Sequence, residues 1–271
     1  MLTSFITWTA KPEIFSIGTF SIRWYGILFA MGFFVGFLIM QRFFKKEGIP
    51  LKVLDRLATY MIIATIIGAR LGHCFFYEPE YYLRHPLEIL KIWEGGLASH
   101  GATVGILLAL YYFARKFNVT YFWVLDRIAI VTALAGFFIR MGNLMNSEIY
   151  GKPTTLPWGF IFVNTAEKAQ AMQPRHPTQI YEGLAYLAIF FYLLTVYYKR
   201  NGKPREGFLI SMFLILIFSA RFLIEFLKEP QVAFEQNMVL NLGQLLSIPF
   251  ILAGVIILFL IYQKKETSDL S

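Results

Sequence analysis

The residues best suited to chemistry are concentrated between Ile139 and Gly151, directly after an apolar run from Ile128 to Phe138. Arg140 sits where hydrocarbon gives way to water, and a fixed guanidinium there can fork onto a phosphate. Asn143 and Asn146 follow at i+3 and i+6, near one face of a continuing helix. Glu148 adds a carboxylate able to steer the arginine or to accept from a hydroxylated ligand. Gly142 and Gly151 allow close backbone approach or a turn. The plainer reading of this segment is a helix end with a snorkelling arginine and turn-forming asparagines.

Other ionisable groups interrupt apolar stretches, where they are costly and by default suggest function. Arg70 lies between Gly68 and Gly72. It either snorkels outward or faces a helix bundle, and the glycines favour the bundle. His100 stands among Ala98, Ser99 and Gly101, small neighbours that leave room for a ligand. A histidine with its ordinary pKa of about 6.5 can accept a proton near neutrality, although bonding a neighbouring helix is the plainer role. Arg221 and Glu225 stand at i, i+4, the spacing of a simple ion pair. Gln179, Tyr181 and Glu182 open a helix with polar groups that line a site or satisfy the helix end. Asp126 and Arg127 are adjacent, point apart on a helix, and are expected to be structural. Three arginines at one level, Arg70, Arg140 and Arg221, exceed the charge of one glutamate. An anionic ligand, a phospholipid headgroup or a carboxylate substrate, would complete the set.

The elements that must position these residues are membrane helices. The 271 residues are 57% hydrophobic and only 15% charged, whereas a soluble domain carries roughly a quarter charged residues. Seven apolar spans are expected, near 24–42, 57–77, 95–114, 121–139, 178–198, 207–227 and 241–262. The net charge of +8 comes from basic loop residues, a pattern that sets topology and attracts anionic lipids rather than nucleic acid. Arg42, Lys45, Lys46, Lys52, Arg56, Arg115, Lys116, Lys199, Arg200, Lys203, Arg205, Lys264 and Lys265 follow alternate spans. The opposite loops are poorer, with Arg84 and Lys91 after the second span and only Lys228 after the sixth. This bias places the N-terminus outside and the C-terminus in the cytoplasm. The fold class is thus all-α and polytopic, a single membrane domain over 1–271. An interfacial arm (1–23), extended or a hairpin about Gly18, precedes the spans, and an irregular outer excursion covers 140–177. Lys11 and Glu13 argue against a signal peptide. Gly32 and Gly36, Gly68 and Gly72, and Gly101 and Gly105 are spaced for close helix packing. A single cysteine, Cys74, allows no internal disulfide, and the four histidines lack metal-ligand spacing.

Several short motifs in a fixed order resemble those of the prolipoprotein diacylglyceryl transferase family. They are Phe15-Ser16-Ile17-Gly18 with Ile22 to Gly26, Gly68 to Gly72, Trp93 to Gly101, Arg140 to Asn143, and Asn146 to Gly151. Arg175 to Gln179, Arg221 to Phe226 and Gly243 to Pro249 continue the series. The chain departs from the family's usual pattern at Ile139 and Ser147, where glycine is common, and at Ile217, where tyrosine is expected. The resemblance implies a multi-pass enzyme of the bacterial cytoplasmic membrane, with its site toward the periplasm and no cofactor or metal. Its implied substrates are phosphatidylglycerol and the signal peptide of prolipoproteins. A diacylglyceryl group passes to a lipobox cysteine thiol and glycerol phosphate leaves. Within that chemistry Arg140 and Arg221 are expected to hold the phosphate, with Glu225 orienting Arg221. Asn143, Asn146 and Glu148 would position Arg140 or the headgroup. His100 would act as base, and Tyr25, Arg70 and Gly151 would complete the binding surface. Competing readings are an anionic-lipid transporter and a phosphatidylglycerol-dependent transferase with a non-protein acceptor.

Overall fold

A computed structural model describes residues 5–17, 20–166, 172–229 and 238–269. The element order begins with β1 (Ile6–Trp8), β2 (Glu13–Ile17) and β3 (Phe20–Arg23), followed by α1 (Trp24–Lys46) and α2 (Leu51–Phe76). A short α3 (Pro79–Arg84), α4 (Ser99–Lys116), α5 (Tyr121–Met145) and β4 (Phe160–Phe162) come next, then α6 (Thr178–Lys199), α7 (Phe208–Glu225) and α8 (Leu242–Asp269). Among the described residues six helices, α1, α2, α5, α6, α7 and α8, are long and apolar enough to cross a membrane. Their apolar side chains, such as Phe34, Ile62 and Phe259, are widely exposed, as a hydrocarbon solvent permits. The seventh expected span, 95–114, is the 18-residue α4, which is not among those six. It starts later than expected because Gly95 and Gly96 take positive φ, and its first turn is Ser99, His100 and Gly101. Helix α5 runs past the expected end at 139 to Met145. Nothing breaks it until Ser147 and Ile149, at φ 52° and 57°.

Backbone contacts group the chain into two compact units, Met1–Ile39 with Asp126–Ser271, and Met40–Leu125. In the second unit, α2 and α4 meet at their backbones. A Cβ added to Gly72 would stand 2.6 Å from Gly101 Cα, and one on Gly105 would stand 2.6 Å from the Ala64 carbonyl oxygen. The glycine pairs read from the sequence therefore serve packing. Cys74 is buried in this unit.

In the first unit, Gly32 of α1 lies against Ala135 of α5, where an added Cβ would fall 3.3 Å from Ala135 Cα. Asp126 accepts from the backbone N–H groups of Gly207 and Ile210, each at 2.9 Å, and so caps α7. Arg127 donates to the Gly202 carbonyl at 2.8 Å and lies over the Tyr197 ring. Both residues are structural, and they work on the loop before α7 rather than on each other's hydrogen-bonding groups.

The N-terminal arm contains an antiparallel hairpin of β2 and β3; its expected turn at Gly18 lies outside the described residues. Strand β1 pairs in parallel with β4, Ile6 opposite Phe160 and Trp8 opposite Phe162. The segment after α5 is more ordered than the irregular excursion expected. Leu144, Tyr150, Phe160 and Phe162 form a small buried core, and the Trp8 indole donates to the Leu144 carbonyl at 3.0 Å. Arg175 ties the layer together, reaching the Gly151 carbonyl and the Glu229 carboxylate, each at 3.2 Å.

Candidate functional site

Because α5 continues through residue 140, Arg140 projects from helix rather than from loop. Its side chain is 12% exposed and pairs with the fully buried Glu182 of α6, Nε to Oε2, at 2.8 Å. Nη1 donates to Asn143 Oδ1 at 3.1 Å, one helical turn on. Asn143 passes the constraint outward, with its Nδ2 donating to Glu148 Oε1 at 2.8 Å. Asn146 Nδ2 donates to the same oxygen at 3.1 Å. These bonds fix both amides, and Asn146 Oδ1 is left buried without a partner among the described residues. It can accept from a hydroxyl.

Behind Arg140 lies a chain of buried charge. Lys228 is 3% exposed and bridges Glu182 at 3.0 Å and Glu225 at 3.1 Å. Tyr186, one turn along α6, donates to Glu182 at 3.4 Å. Its hydroxyl lies within electrostatic range of both Arg140 and Arg221. Arg221 itself has no hydrogen bond or ion pair among the described residues. The expected pairing of Glu225 with Arg221 is therefore replaced: α7 ends at Glu225, the chain turns, and Lys228 three residues on takes the carboxylate. Gly243 permits this, since a Cβ there would fall 2.5 Å from the Glu225 carboxyl carbon.

The charge argument changes accordingly. Arg140, Arg221 and Lys228 face Glu148, Glu182 and Glu225, so the cluster is formally balanced. A guanidinium without a partner among the described residues, rather than an excess of positive charge, is the feature that would suit an anion.

Tyr25 joins this group. Its ring fills the space that a side chain at position 142 would need, 2.7 Å from an added Cβ, and its hydroxyl is within electrostatic range of Glu148 and Arg140. Gly151 is buried where its N–H donates to the His176 carbonyl at 2.8 Å, and a Cβ would strike the Leu227 carbonyl. It holds the turn that carries Lys228. Burial pushes the His176 imidazole below its ordinary pKa.

Arg70 and His100 belong to the other compact unit. Arg70 is 4% exposed, and its guanidinium is occupied by the carbonyls of Ile89, Gly95 and Glu88 at 2.9, 2.6 and 2.6 Å. This organises the loop that leads into α4. His100 is exposed in the first turn of α4.

Sequence reasoning missed Lys228, which reads as a loop cation, and left Glu182 open between lining a site and satisfying a helix end. The available signal was the i, i+3 spacing of Glu225 and Lys228 at the end of an apolar helix.

Comparison with known proteins agrees with the motif order. A family model described as prolipoprotein diacylglyceryl transferase matches residues 12–260. A protein of Tolumonas auensis named phosphatidylglycerol–prolipoprotein diacylglyceryl transferase is 49% identical over 95% of this chain and 98% of its own length. Proteins of the same name from Chloroherpeton thalassium and Porphyromonas gingivalis are 46% and 44% identical. They are covered over 94% and 99% of their lengths, and this chain over 95% and 100%.

Proposed function

The chain belongs to the prolipoprotein diacylglyceryl transferase family, and we propose that the cluster around Arg140, Arg221 and Lys228 is where it carries out the transfer. The enzyme moves the diacylglyceryl group of phosphatidylglycerol onto prolipoprotein. The thiol of the lipobox cysteine, at the end of the substrate's signal peptide, loses its proton and attacks the glyceryl carbon that bears the phosphate. A carbon–sulfur bond forms, the carbon–oxygen bond breaks with its electrons on oxygen, and glycerol phosphate leaves. Family membership sets aside the transporter and the non-protein acceptor.

The difficulty of this displacement is the charge that grows on the departing phosphate. Fixed guanidinium groups in a dry site stabilise such charge, each worth on the order of a hundredfold in rate. Arg221 supplies a guanidinium with no hydrogen bond or ion pair among the described residues, and this is the observation that most supports the assignment. Arg140 supplies a second, steered by Asn143 and Glu148 on one side and Glu182 on the other. When Arg140 shares its charge with the phosphate, Lys228 keeps Glu182 compensated. Asn146 and Tyr25 receive the headgroup glycerol. Glu225 and Gly151 hold Lys228 in place, and Arg70 shapes the approach to α4.

The acceptor needs a base, because a free thiol has a pKa of about 8.5. His100 is the group assigned to that role. A His100→Gln variant that stays active with an unchanged pH profile would remove it. The site faces the periplasm, on an enzyme of the cytoplasmic membrane whose N-terminus lies outside. Purified protein given labelled phosphatidylglycerol and a lipobox peptide tests the whole reading. Thioether should form with cysteine in the peptide and not with serine; equal labelling of both would refute a thiolate displacement.

A further inference from the structure

The far end of α6 carries a second polar site. Helix α6 runs from Thr178 to Lys199, so its last turn lies about 25 Å from Glu182 in the Arg140 cluster. There a cavity of about 560 Å³ is lined by Lys199, Arg200, Lys203, Arg205, Tyr192 and Tyr262. Val196 and Phe208 give it an apolar wall. All these residues belong to one compact unit. Four cations fall within residues 199–205, a stretch without a carboxylate.

The loop that carries them is fixed from beneath. Arg127 holds the Gly202 carbonyl, and Asp126 holds the N–H groups of Gly207 and Ile210. The Gly202 N–H returns to Tyr197 O and that of Lys203 to Arg200 O, both at 2.9 Å. Arg205 rests over the Tyr262 ring, 5.2 Å from its centroid. The cations are thus set on a defined turn rather than on a floppy loop, where an anion would relieve their mutual repulsion.

The surface around the cavity identifies the anion's other half. Phe191 on α6, and Phe259 and Leu260 on α8, are more than half exposed, a surface that suits acyl chains. Tyrosines beside basic groups mark the depth of lipid headgroups. We propose that this cavity binds the phosphate of an anionic phospholipid whose chains lie along α6 and α8. It is a lipid site separate from the one where phosphatidylglycerol reacts.

Native mass spectrometry of the detergent-purified full chain tests the assignment. At saturating phosphatidylglycerol, K199Q/K203Q/R205Q should hold one fewer lipid than wild type, with affinity at that site down roughly a hundredfold. Each basic group near lipid contributes on the order of a fivefold change. The single variant K203Q, on an exposed position, should show about that fivefold loss and guards against misfolding of the triple variant. Phosphatidylcholine should distinguish none of the three proteins, and millimolar inorganic phosphate should leave the lipid in place. Equal phosphatidylglycerol occupancy in all three would overturn the proposal, as would wild-type protein retaining phosphatidylcholine at this site as tightly as phosphatidylglycerol. Displacement by inorganic phosphate would assign the cavity to soluble anions and overturn the lipid.

Discussion

Lys228 shows how much a single buried charge can decide. It stands between two carboxylates that would otherwise repel each other in a dry interior. Changing Lys228→Met removes the bridge and leaves Glu182 with Arg140 as its one remaining cation partner among the described residues. Breaking a buried pair costs about 3 kcal/mol, and here it also draws Arg140 off the phosphate. Transfer should therefore fall by more than roughly tenfold, and the melting temperature should drop with it. A Lys228→Met enzyme with wild-type rate and stability would show that the bridge is incidental. The sequence made Arg140, Asn143 and Glu148 legible because each stands out from an apolar run. It concealed Lys228 because a lysine just beyond a helix end looks the same whether it faces water or curls back under its own helix.

At the scale of elements, the end of α5 is where local backbone and site geometry meet. Ser147 adopts φ 52°, a left-handed conformation that costs a non-glycine residue roughly 1 kcal/mol. Its hydroxyl is also buried without a partner among the described residues. Ser147→Gly should therefore raise stability by about 1 kcal/mol and leave transfer intact, since the bonds that steer Arg140 run through the side chains of Asn143, Asn146 and Glu148. Thermal unfolding in detergent reads the change; a destabilised variant would mean that the serine hydroxyl serves the fold. Apart from α4, helix positions followed from apolar runs of bilayer length, and the glycine pairs marked close helix packing. The order in residues 150–166 and 172–177 was illegible. It depends on β1 pairing with β4 across more than a hundred residues and on Arg175 gathering carbonyls, neither of which leaves a local pattern.

At the scale of the molecule, two ends of one helix bundle carry different chemistry. One end gathers buried ion pairs around Arg140, and the other displays the basic turn at 199–205. The orientation proposed from loop charge makes the first end periplasmic. Thiol labelling in right-side-out vesicles checks it, in a Cys74→Ala background. An impermeant reagent should reach Thr9→Cys and spare Ser268→Cys, and the opposite pattern would invert the topology. Composition made the membrane class legible at once. Which charges pair was hidden, because partners such as Arg140 and Glu182 are 42 residues apart and meet only when α5 and α6 pack.

The central claim is that two guanidinium groups stabilise the departing phosphate. The most direct measurement is single-turnover transfer from labelled phosphatidylglycerol by Arg140→Lys and Arg221→Lys, with lipid binding measured on the same folded preparations. Lysine keeps the charge and loses the fork. Each variant should slow the chemical step by roughly a hundredfold or more while lipid binding weakens far less. Near-normal single-turnover rates in either variant would contradict the account.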